Sequence, residues 1–482
     1  MNRHTPQPAI RPPGAPFSRR ELLHRAAGGF GALALAGMWA DLAKAGAAPA
    51  ALSDPLAPRP AHFTPRAKTV IFIFSTGGTS HVDTFDHKPL LYESDGKTVA
   101  ATSPAAGRRG AANQFIKRPN WDFKPCGQSG TMVSDLFPHL GQCADDLCVV
   151  RSMHGDSGGH DKATMGMHTG SFNFARPSIG SWVSYGLGTE NQNLPSFVVL
   201  APAPPYTGTQ AWGADFLPGC HQGTHVVPGK TPVPNVARLT PTEELQQMEL
   251  ELLAQTNRKH QRTREADLAL EAQIRSFETA FGMQRAAPEA FDLSAESDAT
   301  LDLYGLKRGD AAGFGWQCLT ARRLAERGVR FIELLDVGSS GNWDSHGDMN
   351  DHARLARNID RPLAALVRDL KSRGMLDSTL LVWTTEFGRT PYNAAKDAKG
   401  REHHNAVFSS WLAGGGVKGG LAYGRSDELG ATVAENGVHV HDLHATILHL
   451  CGLDHEKLTY RHAGRDFRLT DVAGRVVKGI LA

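Results

Sequence analysis

The chain has 482 residues, 41% of them hydrophobic, and a formal net charge of +2 from 51 basic and 49 acidic side chains. That apolar share over that length supplies a substantial core, and the near balance of charge excludes the basic excess expected of a nucleic-acid binder. More distinctive are the 22 histidines, several of them clustered beside acids.

Residues 1–45 read as an address rather than as structure. Ser18-Arg-Arg-Glu-Leu-Leu-His24 precedes a Gly- and Ala-rich, moderately apolar stretch from Ala26 to Met38, and Ala43-Lys-Ala45 supplies small residues for a cleavage point. Paired arginines before a weakly hydrophobic segment resemble a twin-arginine export signal, which implies a periplasmic or secreted protein. No later segment reaches the ~20 apolar residues of a bilayer span, so no stable membrane span is expected once the signal is removed. Residues 46–67, rich in Pro and Ala, are expected to form a flexible arm, and a single α/β domain is expected over 68–482. The six cysteines show no Cys-x-x-Cys pair, which speaks against a cysteine zinc site. An oxidising compartment would allow disulfides, with Cys143, Cys148 and Cys126 as candidate partners.

Lys68-Thr-Val-Ile-Phe-Ile-Phe-Ser75 is a continuous apolar run, the pattern of a central parallel strand. It ends in Thr76-Gly-Gly-Thr-Ser-His-Val-Asp-Thr-Phe-Asp86. There the glycines allow close backbone approach to a ligand and Ser80, His81, Asp83 and Asp86 offer donors, or the segment is an ordinary strand-to-helix turn. Residues 92–125 are polar and predict a surface insertion at the rim of a site. Leu147 to Ser152 predicts a second buried strand. It runs into the Gly-rich junction from His154 to His160, with a helix starting near Ser157, where free N–H groups and a positive helix end would hold a tetrahedral anion. A helix over 177–185 and a strand over 194–200 follow, and then a Pro- and Gly-dense excursion over 201–238 suited to lining a substrate cleft. The helical excursion over 240–310 opens with Thr240 as N-cap and Pro241 at the first helical position. A helix over 315–327, ended by Gly328, feeds a strand over 329–335. A helix running to Lys371, strands over 379–383 and 408–413, and a closing helix over 441–450 complete the expectation. The fold is predicted as α/β, with a largely parallel central sheet and helices on both faces.

Three loops next to these strands carry His with Asp or Glu: Asp344 with His346, Glu386, and His403 with His404. Open α/β sheets carry their sites at the carboxyl edge of the strands, and acids with imidazoles are the ligand set of a borderline divalent cation. Asp344, His346, Glu386, His403 and His404 are therefore the candidate ligands of a divalent metal ion, with zinc, calcium and manganese all open. A metal there would polarise an ester oxygen, while the junction at Ser157 and His160, the two candidate catalytic residues, would hold the anionic oxygens. A serine hydrolase fits less well, because no Gly-x-Ser-x-Gly elbow follows a strand. Met165 and Met167, beside His168, read as core residues rather than soft-metal ligands.

Four motifs in chain order are Ser75-Thr-Gly-Gly-Thr-Ser-His-Val-Asp-Thr-Phe-Asp-His-Lys-Pro89, Trp343-Asp-Ser-His346, Thr384-Thr-Glu-Phe-Gly-Arg-Thr-Pro391 and Gly400-Arg-Glu-His-His404. Together they resemble the bacterial family called domain of unknown function 1501, from about residue 68 to the end. The resemblance implies the alkaline phosphatase and sulfatase superfamily, whose members hydrolyse phosphate or sulfate esters with one or two bound metals. It therefore implies an anionic small-molecule or glycan ester as substrate. It carries Asp344 and His346 onto the first ligand position, Glu386 onto the second and His404 onto the last, and His441 to Gly452 is similar to the superfamily's closing helix. The sequence departs from that pattern at Phe387, which stands where a paired His is expected. It departs again at Ser75-Thr76, where the first strand would end in a metal-binding Asp. The usual nucleophile position falls on His160, leaving Ser157 three residues early. Two readings follow: an exported metal-dependent hydrolase-like protein acting on phosphate or sulfate esters, or a catalytically inactive binding protein that keeps the fold.

Overall fold

A computed structural model describes residues 54–100, 113–234, 240–261, 264 and 267–482. The export signal expected over 1–45, the first part of the arm and residues 101–112 of the insertion lie outside the described residues. Among the described residues, no helix is long and apolar enough to cross a membrane.

The main sheet has nine strands among the described residues. In chain order they are β1 (Thr69–Phe74), β2 (Leu147–His154), β3 (Phe197–Leu200), β4 (Thr224–Val226), β5 (Phe331–Leu335), β6 (Thr379–Thr384), β7 (Phe408–Ala413), β8 (Leu421–Tyr423) and β9 (Val438–His439). Eight lie in the order β8-β2-β7-β6-β1-β5-β3-β4, and β9 pairs with β2. The pairings are parallel except those of β7, which runs against both β6 and β2. The expected mixed α/β architecture with a largely parallel sheet is therefore what the chain forms.

The longer helices are α1 (His160–Thr169), α2 (Ile179–Leu187), α3 (Glu243–Gln261), α4 (Leu268–Phe291), α5 (Phe314–Glu326), α6 (Asp351–Ser372) and α7 (Val440–Leu450). They explain why β1 reads as an unbroken apolar run. Side chains alternate across a strand, and here both faces are covered: Val70, Phe72 and Phe74 pack in one cluster with residues of α2 and α7, while Ile71 and Ile73 join the other with residues of α5 and α6. Every residue of β1 is buried. On α6 the buried Leu355, Ile359, Leu363, Leu366 and Leu370 recur at three- and four-residue spacing, the stripe a helix needs to sit on a sheet.

Four expectations need correction. Helix α3 starts at Glu243, because the Thr242 Oγ1 accepts from the Leu245 amide at 3.3 Å and caps the helix in place of Thr240. Helix α1 starts at His160 rather than near Ser157, the preceding Gly159 being extended. The described part of the expected flexible arm is fastened down: the amides of Arg59, His62 and Arg66 bond to the carbonyls of Leu187, Gly452 and Leu450, and Leu56 and Ala67 are buried. No pair among Cys126, Cys143 and Cys148 is bonded, and the other three cysteines are free as well.

The reversed β7 decides where the site lies. In an all-parallel sheet the carboxyl edge collects residues that follow strands. Because β7 runs backwards, with Phe408 opposite Met153 near the end of β2, residues that precede it, His403 among them, arrive at that same edge. The insertion also reaches this rim, where Phe115 and Ile116 pair with Asn393 and Tyr392. The buried Arg401 donates to the Lys117 and Arg118 carbonyls and pairs with Asp83 at 2.7 Å. Asp83 is thereby occupied as a structural anion.

Candidate metal centre

Four chain segments meet at the carboxyl edge. The turn after β1 contributes backbone. Gly77 and Gly78 have φ of +115° and +81°, and a Cβ on Gly77 would lie 2.7 Å from the amides of Trp343 and Asp344. Only glycine tolerates both the dihedral and the approach; the close neighbour expected to be a ligand is the loop after β5. That loop is held by the Trp343 Nε1–H, which donates to Asp336 Oδ2 at 2.6 Å, and by the Trp343 amide on the Thr76 carbonyl. Burial pushes the Asp336 carboxyl up to about 7.

Asp344 is the hub. Its Oδ2 lies 3.2 Å from His160 Nε2, and its Oδ1 lies 3.1 Å from His346 Nε2 and 3.2 Å from His403 Nε2. The His346 and His403 Nε2 atoms are 2.9 Å apart. Ligand atoms of His160, Asp344 and His403 all lie within 4.8 Å of one another, and His346 joins them on the exposed side. The buried Arg389 guanidinium completes the ring: it donates to Asp344 Oδ1 and to the carbonyls of Gly77, Gly78 and Arg401.

The outer nitrogens of the histidines have partners of their own. His160 Nδ1–H donates to Glu386 Oε1 at 2.7 Å and His403 Nδ1–H to the Gly158 carbonyl at 2.8 Å, while His346 Nδ1 lies 3.0 Å from Glu402 Oε2. Assigning tautomers from these acceptors puts the single proton of each neutral ring on Nδ1. Three Nε2 lone pairs then point at one another and at a carboxylate. Such a set of acceptors is stabilised by a shared positive charge, supplied by extra protons or by a cation. Consistent with this, His160 Nε2 is buried without a well-aligned hydrogen bond. Nitrogen and carboxylate donors of this kind suit a divalent transition metal, so the residues present fit a metal ion.

Electrostatics agree. Burial opposes the charge on Asp344, but the adjoining Nε2 atoms of His160 and His403, which favour the carboxylate when they carry a proton, and the Arg389 guanidinium overcome it and hold the carboxyl well below the usual range. Burial also pulls the His160 pKa down, and hydrogen bonds and charge from Asp344 and Glu386 more than offset it, so the net shift is upward. His346 is lowered, first by burial and then by Arg389.

Other expected site residues lie elsewhere or act differently. Glu386 has no open oxygen: Oε1 accepts from the Gly77 amide at 2.8 Å as well as from His160, and Oε2 accepts from Thr385 Oγ1 at 3.0 Å. It orients His160 rather than offering itself as a ligand. His404 faces away, because neighbouring residues of an extended segment point to opposite sides. Its Nε2 contacts the Ala431 carbonyl at 2.8 Å, its ring stacks on His81 at 5.9 Å, and burial drives its pKa down to about 3. Ser157 does not touch the cluster; its Oγ accepts from the Gly159 amide at 3.2 Å and faces a separate cleft. Phe387, where a paired His was expected, is a buried ring packed 4.9 Å from His160 and 4.5 Å from His403.

Sequence reasoning did not assign roles to Tyr206, Arg389 or Glu402. Arg389 and Glu402 lie inside the quoted motifs, and their charge next to Glu386 and His403 was the available signal. Tyr206 stacks on His160 at 4.0 Å with 15° between the planes and accepts from Asn342 Nδ2 at 2.8 Å. It arrives from the Pro-rich excursion, whose local pattern carries no trace of the contact.

Among solved structures the chain is similar to Ps i-CgsB, with 12% identity and a TM-score of 0.36 over 80% of this chain and 72% of that one. It is also similar to the lipoteichoic acid synthase LtaP from Listeria monocytogenes, with 8% identity and a TM-score of 0.35 over 86% and 79%. Alkaline phosphatase from the Antarctic bacterium TAB5 aligns with 11% identity and a TM-score of 0.32 over 81% and 99%. No curated protein matches the sequence. The profile of the family described as Protein of unknown function (DUF1501) matches residues 67–481, and the chain belongs to that family.

Proposed function

We propose that this protein is an exported, metal-dependent hydrolase-like protein acting on phosphate or sulfate esters, including those of polysaccharides. The observation that carries the reading is the convergence of the His160, His346 and His403 Nε2 atoms on Asp344. A divalent metal held there supplies Lewis-acid polarisation of an ester oxygen and a means of activating water near neutral pH. The chain's own residues prepare that position. Glu386, the Gly158 carbonyl and Glu402 take the outer protons of the three rings and so aim their inner lone pairs inward, as outer-shell partners of metal-binding histidines do. Arg389 holds Asp344 ionised, and Tyr206 covers one face of His160, excluding water from it. The motif resemblance to phosphatase-like and sulfatase-like proteins supplies the ester class. Because no serine hydroxyl reaches the cluster from Ser157, the reading assigns attack to water rather than to a covalent seryl step.

Metal analysis of untagged protein, with turnover of aryl phosphate and aryl sulfate, tests this. Stoichiometric metal with turnover abolished by Asp344→Asn is the expected result; absence of both metal and turnover sinks the reading. A second reading, a binding protein without catalysis, is favoured by Phe387 filling the position of the paired His. Metal and ligand binding without turnover would assign it.

A further inference from the structure

We infer that the cleft behind the Asp156–Gly159 loop is a subsite for the sulfate or phosphate group of an extended saccharide. This deepens the ester-hydrolase reading and rests on it for the location of the reacting bond. The cleft encloses about 560 Å³ and is lined among others by Ser157, Lys162, Phe174, Arg176, Arg465 and Arg468, a volume in the range of small-ligand sites. It is separated from the metal centre by one loop: the Gly158 carbonyl accepts from His403, while Ser157 next to it faces the cleft.

The lining carries uncommitted positive charge. Of its acids, Asp471 pairs with Arg465, and Asp156 lies 3.2 Å from His439 Nε2. Arg468 lies 3.3 Å from Glu456. Lys162 and Arg176 make no ion pair with any described residue. Lys162 is exposed in the first turn of α1, where the helix end adds to its attraction for an anion. The Arg176 guanidinium lies 4.3 Å from the centroid of the Phe467 ring, with Arg465 4.8 Å from the same centroid. A guanidinium over an aromatic face is a planar, weakly hydrated fork of the kind that binds a tetrahedral oxyanion through paired donors.

The rest of the surface suits a sugar. Phe467 packs on Phe216 at 5.0 Å, and Phe216 also lines the cleft. Phe174 on its rim is 68% exposed and offers an open aromatic face. Aromatic faces beside cations match a saccharide, whose rings present C–H faces and whose substituents carry the charge. The formal charge of the chain is only +2, without the strong basic excess that marks a nucleic-acid binder.

The test is calorimetric binding by the full chain, in chelator so that turnover plays no part, of dextran oligosaccharides in sulfated, phosphorylated and unsubstituted form, with tripolyphosphate as an anion lacking sugar. Tighter binding of either charged saccharide than of both controls, weakened about ten-fold or more by Lys162→Gln with Arg176→Gln, is the expected result, and the preferred arm identifies the anion. Equal binding of the unsubstituted sugar, equal binding of tripolyphosphate, or affinity unchanged in the double variant overturns the inference. Lys162→Gln alone, at an exposed helix position, keeps the question answerable if the Arg176 change impairs folding. Saccharide binding as expected in a protein that turns over no ester leaves this subsite standing and removes only the hydrolase reading.

Discussion

His403 and His404 are adjacent in the chain and belong to different electrostatic worlds. His403 opens onto the sheet edge, where its Nε2 meets Asp344 and His346. His404 turns inward, fully buried against His81, and is held neutral. The same division separates the edge histidines 160, 346 and 403 from the core histidines 221 and 444. His221 bonds Ser184 Oγ at 2.8 Å and His444 the Met167 carbonyl at 2.7 Å, each with its other nitrogen unpartnered, and burial lowers both to about 3. His160, with a carboxylate at each nitrogen, is shifted toward the charged form, while His221 and His444, buried without one, are shifted toward the neutral form.

The sharpest way to break this contrast is to remove the edge's hub. Asp344→Asn leaves the lone pairs of three rings without their anion, and metal affinity should fall more than about 100-fold, beyond the usual effect of an outer-shell change; titration with the metal measures it. If affinity survives, the edge histidines are no more a metal site than the core ones.

Acid should act on the core instead. His221 and His444 bind protons near 3 when folded and near ~6.5 when unfolded. Between those values the unfolded chain binds more protons, so the stability these groups confer is complete above about 6.5 and is lost as pH falls toward about 3. At pH 5 the loss is roughly 2 kcal/mol for each. Urea unfolding at pH 7 and pH 5 should show it, and His444→Gln should flatten the dependence by one such increment.

Glu386→Gln sharpens the edge further. It keeps an acceptor for the Gly77 amide but removes the charge that fixes His160, so metal affinity should drop about 10- to 100-fold with little change in stoichiometry. The smallest effect is expected at the neighbour that looks most like a ligand on paper. His404→Gln should leave metal affinity within about three-fold of the parent while lowering stability by about 1 kcal/mol, the worth of one buried hydrogen bond; metal titration beside a thermal melt checks both halves.

Much of the scaffold was legible. The unbroken apolar runs of β1 and β6 announced strands buried on both faces, Gly328 marked the end of α5, and the acid and histidine motifs lie on stretches that meet at the carboxyl edge. Three kinds of information were not local. The orientation of His404 depends on which side of its short strand faces Ala431 and His81. The occupation of Glu386 depends on Gly77, more than three hundred positions away in the chain. Tyr206 reaches His160 from a segment without periodicity, so no pattern could forecast the stacking.

By itself the sequence determined the α/β class, the burial of its central strands and the set of motifs that carry charge, because these follow from periodicity and residue chemistry along the chain. Tertiary structure alone decided which of those charges converge. The reversal of β7 carries His403 to the edge where β5 and β6 end, and the closeness of Gly77 to the Trp343–Asp344 backbone brings the hub beneath it. Whether a histidine becomes a ligand or a neutral core residue depends on the direction of its ring and the groups around it, and both are properties of packing.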